Sequence, residues 1–425
     1  MEPFYLLDYL KNNSYLNQSR YDNLRYELDN QLHYYGDHYR DPHEFLGNKN
    51  GNLIRKYIRY LFILYKIIRN RKSLVEGDII LSNAYFTLNN ELEKIGYNVF
   101  CPSWKMSQDR NVLGDLDIFY LSEKIKSKFK HSHFNDLLTE SFLSEVDRFE
   151  EKMTLFFQKR KIKSLFVPND ISFFENLSIQ VCKQLDIPSF IFLHGLPGRY
   201  NKIDENRSDY LIVWGEKIKE NYIKTGMNPN KIFVSGHPYY KKLELHKLKY
   251  SFGNVLVLTK SIVGAHHSDG VILGDRANLI LYLYSVEKIL KSLGINCVRF
   301  RPHPSENENW YLKFINKDFY KFDNENLQKS IQNSSLIIGP TSTVFLESLY
   351  YGVNYVVYEP SINNIEITNC QLVSPFDGTD PKIPVAKTED ELEYILKNKI
   401  LVDPTCFNDY ISTPFDLSFV KKLIK

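Results

Sequence analysis

The sequence predicts an α/β fold of two Rossmann-like, doubly wound domains facing a cleft. Three observations lead there. Short apolar runs of strand length alternate with amphipathic segments of helical spacing, the pattern of parallel α/β sheets. The series begins twice, on either side of a Lys-rich stretch from Tyr239 to Phe252 that carries no strand signal. Several runs end in polar or Gly/Pro-rich loops, and strand ends are where such sheets bind ligands. The expected boundaries are 1–245 for a first domain with a helical N-terminal extension, 251–402 for a second, and 403–425 for a helix packing back on the first.

The elements follow in order. Residues 1–50 are polar, rich in Asn, Asp and Tyr, and suggest helix at most. Leu53 to Lys72 reads as an apolar helix with basic ends. Asp78 to Leu81 is a strand, and Asn98 to Phe100 and Asp117 to Leu121 are weaker ones. Phe142 to Arg160 has helical spacing. Lys163 to Val167 is a strand, with a helix continuing through Ser178 to Leu185. Pro188 to Leu193, Asp209 to Val213 and Lys231 to Val234 are strands, with a helix from Glu216 to Thr225 before the last. Asn254 to Leu258 opens the second series. A helix from Asp275 to Leu293, strands at Ile295 to Phe300, Ser335 to Ile338 and Asn354 to Tyr358, and a final helix from Leu417 to Ile424 complete it.

At 425 residues there is chain enough for two cores. Hydrophobic content of 43% and charged content of 25% are ordinary for soluble globular proteins. A net charge of +3 gives no support for nucleic-acid binding. Five dispersed cysteines without CxxC spacing argue against a disulfide framework or a structural zinc and fit a reducing cytosol. Cys182 and Cys297, inside apolar runs, are expected to be buried thiols. Met1 to Phe4 shows no basic and apolar signal segment, and no run is long enough to span a membrane. The Leu53–Lys72 helix is compatible with lying on an anionic membrane surface, or with a core helix whose Lys and Arg ends are solvated.

The chemistry concentrates at strand ends. Phe300-Arg301-Pro302-His303-Pro304 leaves one strand through a stiff turn, because the two prolines remove backbone donors. Gly339-Pro340-Thr341-Ser342-Thr343 leaves another and opens a helix, offering backbone N–H groups and hydroxyls to an anion. Thr341, Ser342 and Thr343 are also ordinary N-cap residues, with Glu347 placed for a capping interaction. His194, in Leu193-His194-Gly195-Leu196-Pro197-Gly198, ends a first-domain strand, and its near-neutral pKa suits a general base. Lys260 and Ser261 follow the first strand of the second domain as further phosphate contacts. His266 and His267 lack a third and fourth ligand at metal spacing. His237-Pro238 precedes the linker and reads as shaping the domain crossing.

Taken together, the order His-Gly-x-Pro, strand-Trp-Gly-helix, Lys-Ile-x-Val-x-Gly-x-Pro, Arg-Pro-His-Pro and Gly-Pro-x-Ser-Thr-x-x-x-Glu resembles bacterial GT-B transferases of surface polysaccharides over residues 160–365. One subgroup is sialyltransferase-like and uses CMP-activated sialic acids or Kdo. The other transfers polyol phosphate from CDP-glycerol or CDP-ribitol. The resemblance implies that His303 holds the cytidylate phosphate and assists its departure, with Ser342 and Thr343 on the same phosphate. It places Glu359 where the family reads ribose or base. His194 would be the base by the phosphotransferase pattern, and a first-domain carboxylate such as Asp170 or Glu175 by the sialyltransferase-like one. Ser305-Glu306 stands where the phosphotransferases often carry Arg or Lys. The implied function is inverting, metal-independent sugar transfer from a CMP-activated donor to a capsule or lipopolysaccharide glycan or glycolipid. It needs no cofactor beyond the nucleotide-sugar donor and would take place in the cytoplasm, a setting compatible with peripheral association at the cytoplasmic face of the inner membrane. A CDP-polyol phosphotransferase and a non-catalytic glycan-binding scaffold remain as alternatives.

Overall fold

The computed structural model describes residues 9–10, 12, 15–33, 53–72, 78–84, 86–105, 111–131, 133–198, 200, 207–240, 247–260, 276–304, 306–362, 365–366 and 372–424. Seven strands form the first sheet: β1 (Ile79–Ser82), β2 (Asn98–Pro102), β3 (Val112–Leu113), β4 (Ile162–Val167), β5 (Ser189–Phe192), β6 (Tyr210–Val213) and β7 (Ile232–Val234). Their order is β3-β2-β1-β4-β5-β6-β7, and every pairing is parallel. The second sheet comprises β8 (Val255–Leu258), β9 (Val298–Arg301), β10 (Tyr320–Phe322), β11 (Leu336–Gly339), β12 (Tyr355–Tyr358) and β13 (Val385–Ala386). It runs β10-β9-β8-β11-β12-β13, again all parallel. Both orders reverse direction once, between β1 and β4 and between β8 and β11. These are two doubly wound domains, the GT-B arrangement, and each reversal opens a crevice at the carboxyl ends of its strands.

Burial explains the strands. β1, β5, β6 and β8 are apolar and almost wholly buried, as expected where helices cover both faces. β9 alternates instead: Val298 and Phe300 point into the core, while Arg299 and Arg301 share the other face. The longer helices are α1 (Gln18–His33), α2 (Leu53–Lys72), α3 (Phe86–Lys94), α4 (Leu116–His131), α5 (Glu140–Arg160), α6 (Phe173–Gln184), α7 (Glu216–Lys224), α8 (Arg276–Ser292), α9 (Leu327–Gln332), α10 (Val344–Tyr350) and α11 (Glu389–Lys397). Thr139 caps α5 by accepting from the Phe142 N–H at 3.3 Å, and Lys161 ends it in the left-handed conformation. The N-terminal helix α1 joins the first domain through buried Arg20, which binds Asp147 and Glu150 on α5.

Four expectations need correction. Asp117 to Leu121 lies in helix α4, not in a strand. Ile118, Leu121 and Ile125 are buried at spacings of three and four, a period that five residues cannot reveal. The final apolar stretch makes only one helical turn, Val420–Leu423; the segment before it is held by the first domain. There the Ser412 N–H donates to the Trp214 carbonyl and the Asp416 N–H to the Ser235 carbonyl, both at 2.8 Å, while Phe419 stacks on Phe233. Cys297 is exposed, since it lies just outside β9, whereas Cys182 is buried. Helix α2 is not a core helix with solvated ends: Ile63 and Ile67 are buried, but Tyr57, Ile58, Leu61, Phe62, Tyr65 and Ile68 face solvent.

Candidate functional site

The reversal point of the second sheet collects three of the anticipated residues. Lys260 leaves β8, Thr341 leaves β11 and Glu359 leaves β12, and they meet above the strand ends. The Lys260 ammonium donates to Glu359 Oε1 at 2.7 Å and to Thr341 Oγ1 at 2.9 Å. The Thr341 N–H and hydroxyl each donate to the same carboxylate oxygen at 2.7 Å. Glu359 is fully buried, and three donors on one oxygen plus the Lys260 charge keep its burial tolerable. Glycine is required one strand over: a Cβ at Gly339 would stand 2.2 Å from the Tyr355 hydroxyl, which donates to the Pro340 carbonyl at 2.6 Å. That bond fixes where the Thr-Ser-Thr segment begins.

The Thr-Ser-Thr hydroxyls are divided between the two domains. Ser342 Oγ accepts from the Val344 N–H at 3.2 Å, a local turn that opens α10. Thr343 is the N-cap by position, yet it makes no side-chain cap, and the anticipated capping partnership with Glu347 is absent. Its Oγ1 instead accepts from the Leu196 N–H at 3.0 Å. Leu196 belongs to the loop after β5, so this bond crosses from the first domain to the second. A Cβ on neighbouring Gly195 would lie 2.9 Å from the same Oγ1. His194 is exposed at the head of this loop, two residues before Leu196. Trp214 secures the other side of the loop by donating from Nε1 to the Leu193 carbonyl at 3.0 Å.

His303 is half-buried, and that burial holds its pKa below the ordinary histidine value, favouring the neutral imidazole at neutral pH. An anion placed beside it would reverse the preference and draw a proton onto the ring. The turn that carries it rests on Glu306. This buried carboxylate accepts from the His303 N–H at 3.3 Å, from the Tyr311 hydroxyl at 2.6 Å and from the Thr259 hydroxyl at 3.2 Å. Glu306 therefore ties the exits of β8 and β9 together. In sequence Glu306 stands out only as an acid where a basic residue is expected; its place three positions after the motif histidine, opposite a Thr-Lys strand exit, is the signal of this role.

The other anticipated residues lie elsewhere. Arg301 turns to its own strand edge, donating to the Glu325 carbonyl at 2.6 Å and the Ser330 hydroxyl at 3.2 Å. Asp170 is fully buried and accepts from the Arg207 N–H at 2.9 Å. Glu175, also buried, accepts from Asn83 at 2.8 Å and pairs with Lys105 at 2.9 Å, at the reversal point of the first sheet. His237 packs edge-on to Trp214 and accepts from the Tyr239 N–H at Nδ1, and burial drives its pKa down to about 4. Ser261, His266 and His267 lie outside the described residues. Among the described residues, no three His, Cys, Asp or Glu side chains gather as a metal site.

No family model matches the sequence, and no curated protein matches it significantly. Solved structures do resemble it in outline. A putative UDP-N-acetylglucosamine 2-epimerase from Listeria monocytogenes is 14% identical, with a TM-score of 0.45 over 82% of this chain and 94% of that one. The S. aureus MnaA–UDP structure is 12% identical, with a TM-score of 0.48 over 81% and 94%. MurG from Acinetobacter baumannii is 11% identical, with a TM-score of 0.46 over 82% and 99%. The fold assignment stands on the two strand orders themselves.

Proposed function

We propose that the chain is an inverting transferase that moves a nonulosonate of the sialic acid type, or Kdo, from a CMP-activated donor to a surface glycan. The observation that carries this reading is the Leu196–Thr343 hydrogen bond, which sets the His-Gly loop of one domain against the Thr-Ser-Thr helix start of the other. Catalysis in such transfer is mainly stabilisation of charge on the departing phosphate. His303 and the Ser342 and Thr343 hydroxyls supply that stabilisation in this reading. Lys260 adds positive charge beneath them. Glu359 sits deepest and suits the ribose hydroxyls once its hydrogen bonds rearrange around the nucleotide.

His194 is the proposed base. It is exposed at the head of the interdomain loop, where an acceptor hydroxyl has access, while Asp170 and Glu175 are buried. A base must come within hydrogen-bond reach of the proton it removes. The acidic Glu306 beside His303 disfavours the CDP-polyol alternative, whose family carries positive charge after this motif. Donor hydrolysis and transfer with CMP-sialic acid, CMP-Kdo, CDP-glycerol and UDP-N-acetylglucosamine test the proposal. Turnover of a CMP-sugar is expected; turnover of CDP-glycerol or the UDP-sugar alone overturns the donor assignment. Thermal shift with CMP addresses the scaffold alternative, since a ligand that binds only the folded state raises Tm by mass action.

A further inference from the structure

Among the described residues, helix α2 is attached to the first domain by one side. Ile63 and Ile67 are buried against Val112 and Phe119, and Asn70 Nδ2 donates to the Val112 carbonyl at 2.7 Å. On the opposite side Tyr57, Ile58, Leu61, Phe62, Tyr65 and Ile68 are each between 49% and 69% exposed. At 3.6 residues per turn these six positions form one continuous face roughly 140° wide. An apolar strip of that length is far from an ordinary solvated surface and marks a contact region.

Charge identifies what the strip meets. The helix carries seven Lys and Arg and no Asp or Glu. The whole chain is only +3, so the remainder is net negative and the positive charge is concentrated here. Positions 55, 59 and 66 fall along one flank of the apolar face by helical periodicity, position 69 falls just inside that same edge, and Lys66 lies 4.6 Å from the Phe62 ring. Apolar centre, basic flank and tyrosines along the strip are what a helix lying in a lipid headgroup layer requires. A second copy of this chain fits poorly, because an isologous contact would set seven positive charges against seven more. Crossing the bilayer is not the role: among the described residues no helix is long and apolar enough.

We infer that α2 is an interfacial anchor that rests its outer face on an anionic lipid surface while its inner face stays docked on β3 and α4. The inference is independent of the donor assignment. The test is co-sedimentation of the full chain with vesicles of phosphatidylglycerol and phosphatidylcholine, and with phosphatidylcholine alone. Binding to the anionic vesicles is expected, weakening as salt screens the basic flank. Leu61→Ser/Phe62→Ser/Ile68→Ser and Lys66→Glu/Arg69→Glu should each reduce it roughly tenfold or more. All five side chains lie outside the core cluster, so circular dichroism and Tm should match wild type. Failure of the wild type to bind anionic vesicles overturns the inference, as does unchanged binding by the apolar triple variant. A wild-type dimer in sedimentation velocity that the triple variant converts to monomer, without vesicle binding, overturns it in favour of a protein interface.

Discussion

Replacing Thr343 by Val keeps the shape of the side chain and removes the oxygen that accepts from the Leu196 N–H. One neutral hydrogen bond contributes about 1 kcal/mol net, and leaving a partly buried N–H unsatisfied places the loss at about 1–2 kcal/mol. If Thr343 also touches the donor phosphate, the bound state loses a second bond of similar size. CMP affinity should then fall about tenfold, while Thr343→Ser, which retains the hydroxyl, stays near wild type. Gly195→Ala approaches the same contact from the other wall. Its new methyl would stand 2.9 Å from Thr343 Oγ1, and relieving that crowding costs about 1–3 kcal/mol. Thr343→Ala removes the crowded atom, so the double variant Gly195→Ala/Thr343→Ala should lose less than the two single losses combined. Calorimetric titration with CMP and steady-state donor kinetics across the set measure the coupling. Wild-type CMP affinity and turnover in both Thr343→Val and Gly195→Ala would show that the contact has no part in the site.

Three further outcomes follow from the same geometry. His303→Ala should lower kcat by about a hundredfold or more with Tm unchanged, and His194→Ala should do likewise, whereas Glu175→Gln should lower Tm and spare turnover; kinetics beside thermal melts distinguish them. Glu306→Gln weakens the support under the His303 turn and should lower stability by about 1–3 kcal/mol, with a larger effect on kcat than on donor KM, read from urea melts and initial rates. Burial holds His237 at about 4 against an ordinary value of 6.5, so between those values the unfolded chain takes up a proton that the folded chain refuses. Stability should therefore be full above about pH 6.5 and fall as pH drops toward 4, by about 3 kcal/mol in all. His237→Gln should flatten that part of the urea-unfolding profile, and an unchanged slope would refute the assignment.

Much of this protein is legible in local sequence because its strands are short, apolar and regularly spaced. β5 to β8 and β12 lie within expected runs, and β4, β9 and β11 overrun theirs by one residue, since short apolar runs between polar breaks need little beyond their own composition to be recognised. Asp117 to Leu121 suggests a strand although it lies in helix α4, because its apolar groups fit either period. The capping role expected of Thr343 failed for a different reason: capping and interdomain bonding use the same oxygen, and only the packing of the first domain shows which donor reaches it. Arg301 likewise has a charge that suits phosphate, yet a strand places alternate side chains on one face, and Arg301 follows Arg299 toward Asp323.

The two α/β series, the strand ends that carry polar groups and the residue types able to hold an anion are all legible along the chain, because they follow from short-range pattern and composition. The tertiary structure alone decided which groups meet. Lys260, Thr341 and Glu359 converge from three strands, Glu306 ties two strand exits, and the His194 loop reaches Thr343 across 147 residues of chain. It also decided that one apolar face of α2 is exposed. Such contacts depend on strand order and domain packing, and a linear pattern holds no record of either.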